Sequence, residues 1–157
     1  MQSEWFECKV RYEKTLENGL IQKTTETYLV DALSFTEAEK RFIEEITPFM
    51  SGEFIVTDIK RARIAELFDS EDLNDDHWFK ARIAYISIDE KTAVEKRTVQ
   101  TSVIQANDFH RALARLDECM KGTLGEWVIV SITETPIIDA LKYRAPTEEE
   151  QLKTKKK

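Results

Sequence analysis

Basic residues and tryptophans recur at alternating positions in two segments of this chain, which is the arrangement that a nucleotide-binding strand face requires. An aromatic ring beside cations on an open sheet can stack a base and pair with its phosphate. If this face binds a ligand, the predicted ligand is a nucleotide or a single-stranded nucleic acid. The predicted ligand-binding residues are Trp5, Lys9, Arg11 and Lys23 in the first half of the chain, and Trp78, Lys80, Arg82 and Arg97 in the second.

A structural interpretation of the same residues stays open. The cations can form a charge ladder across neighbouring strands with Glu7, Glu13 and Glu26, while both tryptophans cover the edge of the core. The basic run 60–63 also has two interpretations. It is either a binding patch or a charged edge that blocks unwanted strand pairing.

Other kinds of chemistry have little support in the sequence. With only four glycines, the chain cannot assemble a phosphate-binding P-loop or a dinucleotide fingerprint. His77 follows Asp75 and Asp76, but such an acidic run is more typical of a solvated linker than of a metal site. Cys8 and Cys119 lack metal or redox spacing, and their unmatched positions and predicted apolar settings indicate passive thiols. The sequence predicts no catalytic residue, no metal ligand, no cofactor and no enzymatic activity.

The elements that carry these residues occur twice. The segment Trp5–Tyr12 returns 73 residues later as Trp78–Tyr85, and Gly52–Val56 returns as Gly125–Ile129 at the same offset. Between these pairs the offset is 74, so one residue is inserted after Tyr85 and one is lost before Gly125, which fits loops. Two copies of one supersecondary unit are the natural interpretation.

Each copy reads as strand, strand, helix, strand. A period of two marks the first strand, and an Asn-Gly turn ending at Gly19 predicts a hairpin. Ser34 and Asp108 are predicted helix caps. The helical spacing that follows predicts two core stripes, formed by Phe35, Ala38, Phe42 and Ile46, and by Phe109, Ala112, Leu113, Leu116 and Met120.

Each copy also contains a third strand and a short apolar segment after it. The third strand is apolar almost throughout, which predicts a central position in the sheet. The segments 64–68 and 137–141 are either short additional strands or helical turns.

These patterns predict an α+β fold built by internal duplication of a ββαβ unit. It has two mostly antiparallel sheets or one joint sheet, with the helices packed on one face. Halves of roughly 70 residues would be marginal alone, so we expect a single domain at 1–145. It contains repeats at 4–68 and 77–141, joined by the acidic linker 69–76. The charged segment 146–157 is predicted to be disordered.

The paired Trp-Phe strand starts, the Ser-Phe helix entry at 34–35 and the Gly-Glu-Phe start of the third strand at 52–54 together resemble a known family. It is an uncharacterised domain-of-unknown-function family found in gut Bacteroidetes and their phages. The resemblance covers about residues 4 to 143. It implies a small cytoplasmic protein without an assigned reaction, so it transfers no functional residue.

Charge and hydropathy narrow the choice of function. A net charge of −7 argues against gripping duplex nucleic acid by phosphate neutralisation alone. No apolar run approaches the roughly 20 residues that cross a bilayer, so we expect a cytoplasmic protein without a membrane partner. The leading hypothesis is a non-enzymatic binding or adaptor protein that forms a homo-oligomer or binds a protein partner. The alternative is a module for nucleotides or single-stranded nucleic acid, and an enzyme ranks third.

Overall fold

The computed structural model describes residues 3–142, so the predicted tail at 146–157 lies outside the described residues. A 3₁₀ turn at Thr47–Phe49 follows the first helix. Within this range, no helix is long and apolar enough to cross a membrane. The elements in chain order are β1 (Glu4–Thr15), β2 (Ile21–Ala32), α1 (Phe35–Ile46), β3 (Phe54–Ala62), β4 (Glu66–Phe68), β5 (His77–Ile88), β6 (Glu95–Ala106), α2 (Phe109–Met120), β7 (Glu126–Glu134) and β8 (Ile137–Leu141).

The strands form two mixed sheets of four strands each, which confirms the predicted α+β class. The first sheet has the order β3-β1-β2-β8 and the second sheet has the order β4-β6-β5-β7. Each sheet takes one short strand from the other half of the chain, because β8 pairs in parallel with β2 and β4 pairs in parallel with β6. The segments that the sequence left open between strand and helical turn are therefore strands, and they connect the two halves by backbone hydrogen bonds.

The predicted central position of the third strands is wrong, because β3 and β7 lie at the outer edges of their sheets. The residues of β7 divide between two environments. Trp127 and Ile129 pack into the core beneath α2, whereas Val128 and Val130 are 42% and 41% exposed. A nearly continuous apolar strand thus arises here from two separate apolar surfaces rather than from burial on both faces.

The inserted and lost residues fall in loops, as the repeat offsets predict. The insertion lies in the β5–β6 loop at 89–94, and the loss lies between Met120 and Glu126. In the β1–β2 turn, Gly19 has a φ of 84°. Ala93 occupies the matched place in the longer loop with a φ of 57°, which is a left-handed conformation that glycine adopts at lower cost.

Both helices begin at the predicted caps. The Ser34 hydroxyl accepts a hydrogen bond from the Glu37 amide at 3.2 Å, and the Asp108 carboxylate accepts one from the Arg111 amide at 2.8 Å. The stripes are narrower than expected, because three predicted core residues lie at their margins. Phe35, Phe109 and Leu113 are 46%, 48% and 38% exposed. The residues that are buried are Ala38, Phe42 and Ile46 in α1, and Ala112, Leu116 and Met120 in α2.

A third apolar cluster joins the halves on the sheet faces opposite the helices. Leu29 from β2 and Val103 from β6 occupy matched positions and are both fully buried in it, together with Trp78 and Ile137. Five partly buried residues pack around this centre: Trp5, Ala62, Ile64, Leu67 and Ala140. The two sheets therefore pack against each other over one part of these faces.

The linker 69–76 is tied to α2 by a buried carboxylate. Asp75 accepts hydrogen bonds from the Ser70 hydroxyl at 2.5 Å and from the Arg111 guanidinium at 2.5 and 2.8 Å. The amide of Ser70 in turn donates to the side chain of Gln105 at the end of β6. An acidic segment that the sequence predicts only as a connection thus has a defined structure.

Candidate functional site

The eight predicted binding residues lie on the sheet faces turned away from the helices, as their alternation predicts, but they are divided between two sheets. Trp78 requires a correction. It is 1% exposed within the third apolar cluster, so no base can stack on its ring. Its indole Nε1 has no hydrogen-bond partner among residues 3–142, and apolar contacts hold the ring in place. Trp5 packs against the same cluster and is partly exposed.

Lys80 is engaged by an acidic residue of the other half. The Glu7 carboxylate lies 3.9 Å from Lys80 Nζ and 3.8 Å from Lys60 Nζ, and its side chain is 13% exposed. This placement agrees with a charge ladder for Glu7. Glu26 instead opposes Val10 on the helix side of the first sheet. There, burial and a hydrogen bond to Glu26 raise the pKa of Tyr12.

The remaining predicted cations do not converge on one surface. On the first sheet, Arg11 and Lys23 line an open groove of about 540 Å³, together with Glu13 and Glu53. The groove thus carries both signs of charge. Lys9 pairs in register with Thr27 and Asp58, two strand positions before Arg11. On the second sheet, the neighbours of Arg82 are the uncharged Thr101 and Ser131, and Arg97 opposes Ile86.

The open face of the second sheet carries an apolar row that the first sheet lacks. Val99, Ala84 and Val128 stand directly opposite one another on β6, β5 and β7, so they share this face. Val99 and Val128 are 40% and 42% exposed, whereas Ala84 between them is fully buried. Because the halves are repeats, each position has a counterpart in the first sheet, where the same row reads Thr25, Arg11 and Ile55.

Two neighbouring positions show the same difference between the sheets. Val130 is the extra residue where the pairing of β5 with β7 shifts, and the matched extra residue of β3 is Thr57. Ile86 follows Ala84 on the open face, where the first sheet has Glu13. Ala84, Ile86, Val99 and Val128 share the face turned away from α2, and we call this set the apolar face of the second sheet.

The outer edges of the sheets also differ. β3 carries Asp58, Lys60 and Arg61, which are charges that discourage pairing with another strand. β7 has no charged residue between Glu126 and Glu134. Among the described residues, no further strand pairs with the outer edge of β7. The second sheet therefore presents an uncharged free edge beside its apolar face.

Both cysteine thiols lie in settings that disfavour the reactive thiolate form. Cys8 is fully buried, and burial, with the nearby Asp58 and Glu7 carboxylates, raises the pKa of its thiol to about 12. Cys119 is exposed, which corrects its predicted apolar setting, and partial burial raises the pKa of its thiol above the ordinary value. A thiolate is the nucleophilic form, so both shifts disfavour reaction near neutral pH.

His77 lies near carboxylates without forming a cluster that suits a metal. Its Nδ1 is 2.7 Å from Asp76, and its Nε2 is 3.8 Å from Glu134. Asp75, the third member of the motif seen in the sequence, points instead to Arg111. Within residues 3–142, no group of three or more histidine, cysteine or acidic side chains is placed to hold a metal ion.

The sequence pattern did not predict the apolar face, because a single valine, isoleucine or alanine is common in any strand. A signal was present in the alignment of the two repeats. Thr25 is replaced by Val99, Arg11 by Ala84 and Glu13 by Ile86, always from polar to apolar. The two copies of this sheet face therefore present different surfaces, one more polar and one more apolar.

The fold is that of an α+β protein with two similar halves, each built on a four-stranded sheet. The chain belongs to the family described as domain of unknown function DUF4494, whose model matches residues 4–143. The resemblance seen in the sequence to an uncharacterised family is therefore confirmed at that level. Comparison with curated proteins finds no match.

Proposed function

We propose that this protein is a non-enzymatic binding protein that acts as an adaptor, and that it receives an extended segment of a polypeptide partner along the outer edge of β7. The observation that carries the proposal is the contrast between the two free edges. β3 is protected by Asp58, Lys60 and Arg61, whereas β7 is uncharged from Trp127 to Thr133. Exposed edges of this kind accept a further strand through main-chain hydrogen bonds.

The partner that suits this edge follows from the side chains of β7. A strand added there would place alternate residues beside Val128, on the apolar face, and beside Trp127 and Ile129, above the core under α2. Both sets favour apolar side chains. The expected ligand is thus an extended segment of about 5 to 9 residues without charges in its centre.

The test exchanges the charges of the two edges. Ser131→Asp with Thr133→Lys gives β7 the residues that β3 has at the matched positions, Asp58 and Lys60. Peptides are selected from a displayed random library on the full-length protein, and their affinities are measured by fluorescence anisotropy. The double variant should weaken a selected peptide by about tenfold or more, which corresponds to about 1.4 kcal/mol.

Asp58→Ser on β3 is the control and should leave the affinity unchanged. Unfolding curves of each variant verify that the fold is retained. Failure to enrich any peptide, or equal binding by wild type and the double variant, would show that β7 is not a binding edge.

A second candidate function is the binding of a nucleotide or single-stranded nucleic acid, and the groove that contains Arg11 and Lys23 favours it. Nucleotide binding is the weaker candidate, because the buried Trp78 cannot serve as a stacking surface. Titration of fluorescent nucleotides and a short single strand should show binding that weakens with salt and is lost in Arg11→Glu. Undetectable binding by the wild type at low salt would exclude this function.

The family resemblance supports two further parts of the proposal. We place the protein in the cytoplasm, and we assign its origin to Bacteroidetes or their phages.

A further inference from the structure

We propose that Phe109 and Glu134 bind an arginine side chain of the segment that pairs with β7, so the partner carries an arginine at one end of its uncharged centre. The inference deepens and rests on the proposed function, because it names the partner residue that the edge of β7 recognises. The first half of the chain makes the corresponding contact within itself.

In that first half, an arginine of the edge strand covers an aromatic ring of the helix. The guanidinium carbon of Arg61, near the end of β3, is 5.4 Å from the ring centroid of Phe35, the first residue of α1. Its Nε is 2.9 Å from a carboxylate oxygen of Glu4. The ring face attracts the cation, and the carboxylate pairs with it, so one arginine satisfies both groups.

In the second half, the matched places keep the ring but change the charges. Phe109 begins α2, and Glu134 and His77 stand where the first half has its arginine and its glutamate. The ring of Phe109 is 48% exposed and contacts the imidazole of His110. A carboxylate cannot replace the guanidinium over a ring, because the ring face is electron-rich. The second half therefore has a ring and a carboxylate that suit a cation, with a glutamate where the first half carries the cation itself.

Glu134 is placed to contact an added strand. It pairs with Phe79, whose side chain lies in the core beneath α2, so Glu134 and Phe109 are on the same side of the second sheet. The Glu134 side chain is 61% exposed, and its carboxylate is 3.8 Å from His77 Nε2, which is longer than a hydrogen bond. In an added strand, the residue opposite Glu134 points to this same side.

The geometry favours arginine at that position. An added strand lies about 4.8 Å outside β7, and a long side chain crosses this gap towards the helix. A guanidinium is planar, so it stacks on a ring and forms paired hydrogen bonds with a carboxylate, whereas a lysine ammonium is a point charge. Ile132 packs in the core two residues before Glu134. The expected segment therefore has an apolar residue opposite Ile132 and, two positions away, an arginine opposite Glu134.

The experiment uses peptides selected on the full-length protein, which should carry an arginine two positions from an apolar residue. One peptide is synthesised with arginine, lysine or glutamate at that position, and the affinities are measured by fluorescence anisotropy. The wild type should bind the arginine peptide about tenfold or more tightly than the glutamate peptide, with the lysine peptide between them.

A charge exchange tests the assigned contact. Glu134→Arg introduces the residue of the first half beside Phe109 and should reverse the order of the arginine and glutamate peptides. Glu126→Arg is the matched control, because it makes the same change of charge at the other end of β7. It should alter both affinities by less than about threefold.

Two variants test the ring, and urea unfolding verifies that each retains the fold. Phe109→Leu should weaken the arginine peptide by about two- to fivefold without affecting the glutamate peptide, and Phe109→Tyr should retain the wild-type affinities. Equal affinity of the wild type for both peptides, or equal effects of Glu134→Arg and Glu126→Arg, would overturn the inference and leave the β7 edge standing. Failure to enrich any peptide, or binding that survives Ser131→Asp with Thr133→Lys, would overturn the proposed function and the inference with it.

Discussion

Asp75 should make the stability of the protein depend on pH in the acidic range. Its carboxyl is 0% exposed and accepts hydrogen bonds from Arg111 and Ser70. The hydrogen bond from Arg111 is the largest influence on its pKa, and burial opposes it. The net result lowers the pKa of Asp75 from its ordinary value of 3.8 to about 2.

The magnitude follows from linkage between protonation and folding. A fall of nearly two pKa units corresponds to roughly 2.4 kcal/mol at most. Because the Arg111 side chain is 40% exposed, solvent screens the pair, and we expect about 1 to 2 kcal/mol. The pKa is depressed in the folded state, so this stabilisation is fully present above about pH 4. It is lost as the pH falls from about 4 towards 2.

The assay compares urea unfolding of the wild type and Asp75→Asn at several pH values between 7 and 2. The variant should be less stable by about 1 to 2 kcal/mol at neutral pH, and the two free energies of unfolding should converge near pH 2. Asp76→Asn is the control, because the neighbouring Asp76 side chain is 67% exposed and should cost less than about 0.5 kcal/mol. Parallel stability curves for the wild type and Asp75→Asn would refute the assigned role of Asp75.

Three further predictions use the two halves as comparisons. Ala93→Gly should raise the free energy of unfolding by about 0.5 to 1 kcal/mol and Gly19→Ala should lower it by about 1 kcal/mol, because both positions have positive φ; urea unfolding with the same sign for both changes would contradict this. A thiol reagent near pH 8 should label Cys119 in the native protein and Cys8 only after unfolding, as followed by mass spectrometry; equal labelling rates would contradict the burial of Cys8. A chain truncated after Phe68 lacks the strand that completes its sheet and should not melt cooperatively as a monomer, whereas a sharp monomeric transition in circular dichroism would show that the half folds alone.

The parts of the fold that the sequence predicts are those governed by neighbouring residues. The helix starts depend on Ser34 and Asp108, whose side chains bond amides three residues away, and the first hairpin depends on the positive φ of Gly19. The offset between repeats located the loops for the same reason, since an added residue is tolerated only between elements.

The exchange of β4 and β8 is a different kind of feature. β4 pairs with β6 through contacts such as Leu67 with Val103, and each partner alone has only a short apolar pattern. Nothing local distinguishes pairing within a repeat from pairing between repeats. Alternation likewise placed Trp78 on the face opposite the helices, but it could not show that the other half covers that face.

The ion pair between Glu7 and Lys80 favours packing of the two different halves over packing of two identical halves. These residues occupy matched positions, and they approach to 3.9 Å, so they lie close to the pseudo-twofold axis. Two copies of the first half would bring Glu7 against Glu7 there, and two copies of the second half would bring Lys80 against Lys80. Like charges at that distance in a partly buried setting are unfavourable, whereas the fused chain sets opposite charges together. Divergence at a single matched position thus favours assembly of the two halves within one chain over the pairing of two identical halves.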